Sequence, residues 1–199
     1  VNDMRGGEIA IEHLVDYRHK NIAWVCGPET IPQAAERSRG VSAAAKSLKV
    51  NVTHIITCGM TFAGGEEAVS QILNLFPRPT AIFCGNDLLA LGVMRGLMTC
   101  GVRIPDDISV IGYDDIEFAP SAAVPLTSIA QPAYQLGFTA TKLLLSECEG
   151  VETHAHQDVR FQPELIVRSS TRDLTDERAQ AVVRREYDHI ATSYFDSKN

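Results

Sequence analysis

Short runs of apolar residues recur along the first half of the chain, and each run is followed by a glycine. The runs are rich in β-branched residues and are too short for helices. Continuous apolar runs of this kind are typical of strands that are buried on both faces of a parallel sheet. We predict four such strands, at residues 22–26, 54–58, 81–84 and 108–111.

Between these runs, apolar residues recur at helical spacing. Leu88, Leu91, Met94 and Leu97, for example, fall on one face of a helix that ends before Gly101. The same pattern predicts helices at residues 7–19, 33–49, 66–76 and 87–100. Because buried strands alternate with helices, we predict βαβ units with right-handed crossovers. The fold class is therefore α/β with a doubly wound parallel sheet.

The pattern changes after residue 111. A short strand at 126–129 leads into a long helix at 132–148, with a proline at its start and Gly150 just beyond its end. A last strand is predicted at 159–167, with Pro163 at an edge or a bulge. A charged amphipathic helix is predicted at 173–194.

Composition and charge narrow the class of protein. Of the 199 residues, 45% are hydrophobic and 22% are charged, as in globular domains that bury a substantial core. No apolar run is long enough to span a membrane, so no membrane partner is predicted. The net charge of −7 makes this segment by itself a poor partner for nucleic acid. The chain begins with Val1 rather than methionine, so its start carries no information on targeting.

The sequence offers little support for catalysis or metal binding. The cysteines number five and none forms a CxxC pair, which favours reduced thiols and predicts a cytoplasmic protein. Cys26, Cys58 and Cys84 end three of the predicted strands, and we interpret them as buried thiols. His154 and His156 have no third ligand nearby, so no metal site is predicted. GxSxG, HExxH and GxxxxGK[ST] motifs are missing, and we predict no enzyme and no cofactor.

The carboxyl ends of the predicted strands mark the candidate site, because ligands bind there in open parallel sheets. Asn86 can donate and accept hydrogen bonds, the Asp114 carboxylate can accept from two hydroxyls, and Arg37 offers a planar fork of donors. Arg37 is expected in the loop or first helical turn after the first strand. Met60 can supply an apolar floor. This set suits an uncharged, hydroxyl-rich ligand.

A purely structural interpretation of the same residues remains open. Asn86 and Asp87 precede a predicted helix and suit its N-terminal cap. Asp114 and Asp115 suit a polar turn. Spacing alone does not decide between capping and ligand binding.

Three longer motifs lie at residues 79–97, 101–115 and 125–132. The second contains Ile-Ser-Val-Ile-Gly-Tyr-Asp-Asp and the third Thr-Ser-Ile-Ala-Gln-Pro. With Arg37 three residues before Gly40, these motifs resemble the lactose/galactose-repressor (LacI/GalR) family of transcription regulators. The similarity extends from Asn2 to about Arg172. The alternative is a periplasmic sugar-binding protein of an ABC transporter, which shares the two-lobed fold.

The resemblance implies a periplasmic-binding-protein-like domain in which two α/β lobes clasp an effector. The chain is expected to start at the first crossover between the lobes and to lack most of the N-terminal lobe. The expected boundaries are 2–129 for the C-terminal lobe, 130–156 for a helix and loop of the N-terminal lobe, 157–171 for a strand that returns to the C-terminal lobe, and 172–199 for a C-terminal helical extension.

The resemblance also assigns effector contacts position by position, to Arg37, Met60, Asn86, Asp114 and Gln131. Met60 stands where many members of the family place a stacking Phe or Trp, and Ile31 argues against a purine. The implied effector is a sugar or sugar derivative. The implied partners are a second copy of the chain in a homodimer and operator DNA, bound through a headpiece outside this chain. Effector binding is expected to close the lobes and change operator affinity.

Overall fold

The computed structural model describes residues 1–57, 59–148 and 157–175. Helices and strands alternate up to residue 114, as predicted, and a second strand then follows without a helix between them. Their bounds are α1 Asp3–Asp16, β1 Asn21–Cys26, α2 Pro32–Leu48, β2 Asn51–Ile56, α3 Phe62–Leu73, β3 Ala81–Cys84, α4 Asp87–Thr99, β4 Ser109–Asp114, β5 Thr127–Ala130, α5 Ala133–Cys148 and β6 Glu164–Ile166.

The strands form one six-stranded sheet in the order β2-β1-β3-β4-β5-β6. The first five strands are parallel, and β6 pairs antiparallel with β5 at the edge. The chain leaves β1 toward one face of the sheet and β3 toward the other, so the carboxyl ends of these neighbours form the topological switch point. The predicted doubly wound α/β fold is confirmed.

Helices cover both faces of the sheet, and alternate residues of each strand point to opposite layers. Trp24, Phe83 and Tyr113 pack with α1 and α2. Val25 and Ile82 pack with α3 and α4. Because both faces are buried, β1 from Ile22 onward and all of β3 are apolar at every position, which is why their sequences show no alternation.

Helix α3 begins at Phe62 rather than at residue 66, and its double glycine lies inside the helix. Thr61 caps the helix, since its side chain accepts from the N–H of Gly64 at 3.1 Å. A methyl group at Gly65 would overlap the carbonyl oxygen of Leu89 in α4. The glycines that looked like a helix boundary therefore allow two helices to approach closely.

Strand β4 continues through Gly112 to Asp114, whereas the sequence predicted its end at residue 111. A methyl group at Gly112 would overlap Oδ1 of Asp87. Gly112 is therefore required by the neighbouring carboxylate and does not end the strand. As a result, Tyr113 and Asp114 lie on the strand itself.

Two strands differ from their predictions at the edges of the sheet. β2 covers Asn51–Ile56 instead of 54–58, and as an edge strand it is mostly exposed or half-buried rather than covered on both faces. β6 has only three residues, and Pro163, which has no N–H for a ladder, precedes it. Residues 176–194 of the predicted C-terminal helix lie outside the described residues.

Two of the three cysteines that end predicted strands are described, and they lie on opposite faces of the sheet. Cys26 packs in the α1/α2 layer and Cys84 in the α3/α4 layer, so the sheet separates their side chains. Burial raises the pKa of both thiols. Cys58 lies outside the described residues.

Helix α5, all of which the structure describes, contains no buried residue. Its large apolar side chains are open to solvent, with Tyr134 83%, Leu144 63% and Phe138 61% exposed. Helices α1 to α4 each bury a full apolar face. Among the described helices, none is both long and apolar enough to cross a membrane.

Candidate ligand-binding site

Met60 covers the switch point at the carboxyl ends of β1 and β3. Each of these strands is followed by a glycine. A methyl group at Gly27 would come within 2.9 Å of Cγ of Met60, and one at Gly85 would lie 3.5 Å from its Cε. The two glycines therefore leave room for the half-buried methionine side chain.

Arg37 lies in the second turn of α2, further along than the predicted loop or first turn, and only 4% of its surface is exposed. Its Nε donates to Oδ1 of Asp3 at 2.8 Å, and its Nη1 donates to the carbonyl oxygen of Gly85 at 2.5 Å. Its Nη2 lies 3.6 Å from Oδ1 of Asp114. The guanidinium lies over the ring of Tyr113, 3.5 Å from the centroid. A buried guanidinium needs such partners, and together they hold this one at the carboxyl edge of the sheet.

Asp114 ends β4 beside Arg37, with 32% of its side chain exposed. Its Oδ1 accepts from Nε2 of Gln131 at 2.5 Å. Burial raises the pKa of this carboxyl, while the positive charge of Arg37 and the Gln131 hydrogen bond oppose the shift. Within the described residues, no hydrogen bond reaches Oδ2, so this oxygen is available to a ligand hydroxyl.

Asn86 is the N-cap of α4. Its Oδ1 accepts from the N–H of Leu89 at 2.9 Å, and its Nδ2 donates to the carbonyl oxygen of Met60 at 3.0 Å. The capping interpretation is correct for this residue. The same amide also fixes the loop that carries Met60 over the switch point.

Asp87 does not cap the helix. Its carboxylate is fully buried, with Oδ1 accepting from Oγ of Ser128 at 2.7 Å and Oδ2 from the N–H of Ile116 at 2.9 Å. Burial raises its pKa to about 6, against the effect of the two hydrogen bonds. The residue therefore binds the loop that follows β4.

The predicted site residues fall into two groups. Arg37, Asp114 and Gln131 form one, held together by side-chain contacts. Asn86 and Met60 form the other, joined by a hydrogen bond. Gly85 lies between the groups, because Arg37 binds its carbonyl oxygen and Met60 covers its Cα. The role of all five residues in ligand binding stays a prediction.

Sequence reasoning missed the residues that hold Arg37 in place. Asp3 lies 34 positions before its partner, so no local spacing indicates the pair. Tyr113 belongs to a quoted motif, but only the structure places its ring under the guanidinium. Burial raises the pKa of its hydroxyl well above the ordinary range, and Gly6 of α1 leaves room for its ring.

The segment before α1 contacts the segment before β6 near Gln131. The N–H of Asn2 donates to the carbonyl oxygen of Phe161 at 2.9 Å, and its Nδ2 donates to Oε1 of Gln162 at 3.2 Å. A cavity of about 250 Å³ lies next to these contacts. It is lined by Ala130, Gln131, Pro132, Gln135, Phe161, Gln162 and Glu164. Among the described residues, no group of three or more His, Cys, Asp or Glu side chains is placed to hold a metal ion.

Comparison with known protein families agrees with this geometry. A family model described as a periplasmic binding protein-like domain matches residues 11–171. A transcriptional repressor named PurR from Photobacterium profundum is 37% identical over 175 residues, which cover 87% of this chain and 52% of that protein. The repressor CytR of Escherichia coli K12 is 37% identical over 168 residues, covering 83% of this chain and 49% of that protein. The chain thus spans about half the length of these curated relatives, which are transcriptional repressors.

Solved structures show the same fold. A LacI family transcriptional regulator from Enterococcus faecalis V583 with bound ribose superimposes with a TM-score of 0.81 at 35% identity, over 87% of this chain and 62% of that one. A dimeric Lac repressor gives a TM-score of 0.79 at 30% identity, over 85% of this chain and 62% of that one. The chain therefore belongs to the family of periplasmic binding protein-like domains, in the form found in LacI-family transcriptional regulators.

Proposed function

We propose that this chain is the larger part of the effector-sensing domain of a LacI-type transcription regulator, and that it binds a sugar or sugar derivative at the carboxyl edge of its sheet. The Arg37–Asp114 pair at this edge carries the proposal. One carboxylate oxygen of Asp114 is oriented by Gln131, while the other is left for a ligand. Arg37 is held by three protein groups besides Asp114, so the positive charge is oriented before any ligand arrives.

The chemistry of the site favours a ligand rich in hydroxyl groups. A carboxylate accepts hydrogen bonds from two hydroxyls well, and sugars present neighbouring hydroxyl pairs. Met60 offers a soft apolar surface for the carbon face of a ring. Two regulators of similar structure contain ribose, which makes ribose the first probe to use.

The bare surface of α5 supports the proposed division into lobes. A helix with several large exposed apolar side chains normally packs against something. We assign residues 2–129 and 157–171 to the C-terminal lobe and 130–156 to an N-terminal lobe that lies largely outside this chain, with 172–199 as an extension. The contacts of Asn2 with Phe161 and Gln162 support this assignment, because they bring two of the connections between lobes together.

The same proposal includes a homodimer and operator DNA. Three large apolar residues are exposed on α4 and in the loop after β4: Leu88, Met98 and Phe118, with exposures of 43%, 39% and 57%. Such residues suit an interface with a second copy, and one structural neighbour is a dimeric repressor. Effector binding that favours a closed arrangement of the lobes then shifts the population of the operator-binding state.

The decisive test replaces Asp114 in the full-length protein that contains this chain. Asp114→Ala should weaken ribose binding at least about 100-fold, because a charged hydrogen-bond partner is lost from a half-buried site. Operator binding without sugar should persist. Calorimetry measures the first effect, and fluorescence anisotropy with labelled operator measures the second.

Asp106→Ala serves as the matched control. Asp106 is an exposed aspartate whose partner is Arg172, and it lies before β4 at the opposite edge of the sheet. This variant should bind ribose and operator as the unmodified protein does. If Asp114→Ala keeps a normal response to sugar, the proposed site is wrong.

A further inference from the structure

We propose that Asp87, Ser128 and Arg168 are positioning residues that hold the turn at 114–116 and thereby set the affinity of the ligand site without touching the ligand. The inference rests on the proposed function, because it concerns the Asp114 carboxylate. It gives Asp87 and Ser128, which lie in the sequence motifs, and Arg168, which does not, a role that neither the motifs nor the direct contacts of Arg37 indicate.

The turn has a backbone conformation that ordinary residues rarely adopt. Asp114 has a φ of 104° and Asp115 a φ of 52°, so two successive non-glycine residues lie in the left-handed region. Such conformations persist only where the surrounding structure imposes them. Something other than local preference must therefore hold Asp114 toward Arg37.

A chain of three hydrogen bonds holds the backbone of the turn. The N–H of Asp115 donates to Oγ of Ser128 at 3.1 Å, and this hydroxyl donates in turn to Oδ1 of Asp87 at 2.7 Å. The N–H of Ile116 donates to Oδ2 of Asp87 at 2.9 Å. One buried carboxylate thus fixes two successive amides of the turn, one directly and one through a hydroxyl.

Arg168 holds the side chain of Asp115 in the same turn. Its Nη1 donates to Oδ1 of Asp115 at 2.7 Å and to the carbonyl oxygen of Leu126 at 2.7 Å. Arg168 follows β6, Ser128 belongs to β5 and Asp87 begins α4. Three distant parts of the chain therefore converge on a single turn.

These residues act at a distance from the ligand. Asp87 and Ser128 are each 0% exposed, so a bound molecule cannot reach them. If the bonds are lost, the turn is free to relax toward ordinary backbone angles, and the Asp114 carboxylate then faces Arg37 only part of the time. The apparent affinity for the ligand is then reduced in proportion to the fraction of molecules that keep the binding conformation.

The test uses Ser128→Ala in the full-length protein, with ribose as the probe. Ser170→Ala is a closely matched control. Ser170 is also 0% exposed, and its hydroxyl also donates once, to the carbonyl oxygen of Val110, and accepts once, from the N–H of Thr127. Its acceptor Val110 lies four positions before Asp114 in β4, and Ser170 makes no hydrogen bond to residues 114–116. Both variants lose the same number of buried hydrogen bonds, so a general loss of stability affects them alike.

We expect Ser128→Ala to bind ribose about ten-fold more weakly and Ser170→Ala to bind it unchanged. Hydrogen–deuterium exchange over residues 114–117 should accelerate in Ser128→Ala, because the Asp115 amide loses its acceptor, and should stay unchanged in Ser170→Ala. Arg168→Met, at a partly exposed residue, should accelerate exchange less and weaken ribose binding about three-fold, because only the Asp115 side chain loses its partner.

Two outcomes overturn the inference. If exchange over 114–117 is unchanged in Ser128→Ala and in Arg168→Met, the positioning residues do not hold the turn. If exchange accelerates but ribose affinity is unchanged, the positioning residues hold the turn without affecting the ligand site. If the unmodified protein binds no ribose, that result counts against the proposed ligand, and the exchange measurement still decides whether these residues hold the turn.

Discussion

Two α-β-α units of this chain are built alike on opposite faces of the sheet, and they differ in where they place charge. The first consists of α1, β1 and α2, and the second of α3, β3 and α4. In each unit the two helices touch backbone to backbone at glycines. A methyl group at Gly40 would overlap the carbonyl oxygen of Met4, and one at Gly92 would overlap that of Phe62.

The equivalence extends to the residue that makes the candidate site. Gly7 packs against the carbonyl oxygen of Arg37, and Gly65 packs in the same way against that of Leu89. Arg37 and Leu89 therefore occupy matching positions in the two units. Leu89 is fully buried in an apolar cluster, whereas Arg37 reaches the carboxyl edge and meets Asp114. The comparison teaches that one charged residue, in a packing arrangement that is otherwise repeated, is enough to place a buried ion pair at the proposed ligand site on one side of the sheet and an apolar contact on the other.

Giving either unit the residue of the other should cause the largest change in the free energy of unfolding. Leu89→Arg should lower the free energy of unfolding by about 4 kcal/mol, because a charge without partners enters an apolar core. Arg37→Leu should lower it by only about 1–2 kcal/mol, since Asp3 and Asp114 keep some contact with water. Urea denaturation measures both values. Equal losses in the two variants would show that the units do not differ in this way.

Breaking the shared framework should affect both units equally. Gly40→Ala and Gly92→Ala should each lower the free energy of unfolding by about 3 kcal/mol, because the added methyl group meets backbone that cannot move aside cheaply. Gly137→Ala in α5 is the control, since none of the described residues lies within 4 Å of a methyl group there. That change should be neutral or stabilise by up to about 1 kcal/mol. A stability for Gly40→Ala or Gly92→Ala equal to that of Gly137→Ala would contradict the close packing.

Acid should lower the free energy of unfolding through His19 in the first unit and raise it through Asp87 in the second. His19, which follows α1, bonds Thr80 and the carbonyl oxygen of Arg172, and burial lowers its pKa from 6.5 to about 4. The unfolded chain takes up this proton below pH 6.5 and the folded chain does not. The stability from His19 is therefore complete above pH 6.5 and falls by about 2 kcal/mol at pH 5. Asp87 in the second unit acts oppositely, because its raised pKa of about 6 makes acid favour the folded state.

The measurement for this third prediction is the difference between two pH profiles of unfolding, those of the unmodified chain and of His19→Gln. Subtraction removes the contribution of Asp87 and leaves that of His19. The difference between the profiles should change by about 2 kcal/mol between pH 7 and pH 5. Parallel profiles would show that His19 is not buried as a neutral side chain.

The sequence predicted which residues lie at the candidate site, but not the hydrogen bonds that join them to the rest of the fold. Arg37 and Asp114 were expected at the carboxyl edge from the strand pattern, Gln131 was expected at the site from the family resemblance, and the structure brings Asp114 into contact with both. For Asn86 the sequence left capping and ligand binding open, and the structure shows that it caps α4, which begins at the next residue. The tasks of Asp87 and Ser128 could not be inferred, since their hydrogen bonds join residues 41 positions apart.

The sequence by itself determined the α/β class, the succession of helices and strands, and membership of the family. These properties follow from local periodicity and from motifs of contiguous residues, which do not depend on how distant segments meet. The tertiary structure alone decided that the double glycine of α3 is a packing contact, that β2 is an exposed edge and that Asp87 supports a turn. Each depends on close approach between backbone or side-chain atoms far apart in sequence, and neither hydrophobicity nor spacing along the chain encodes such an approach.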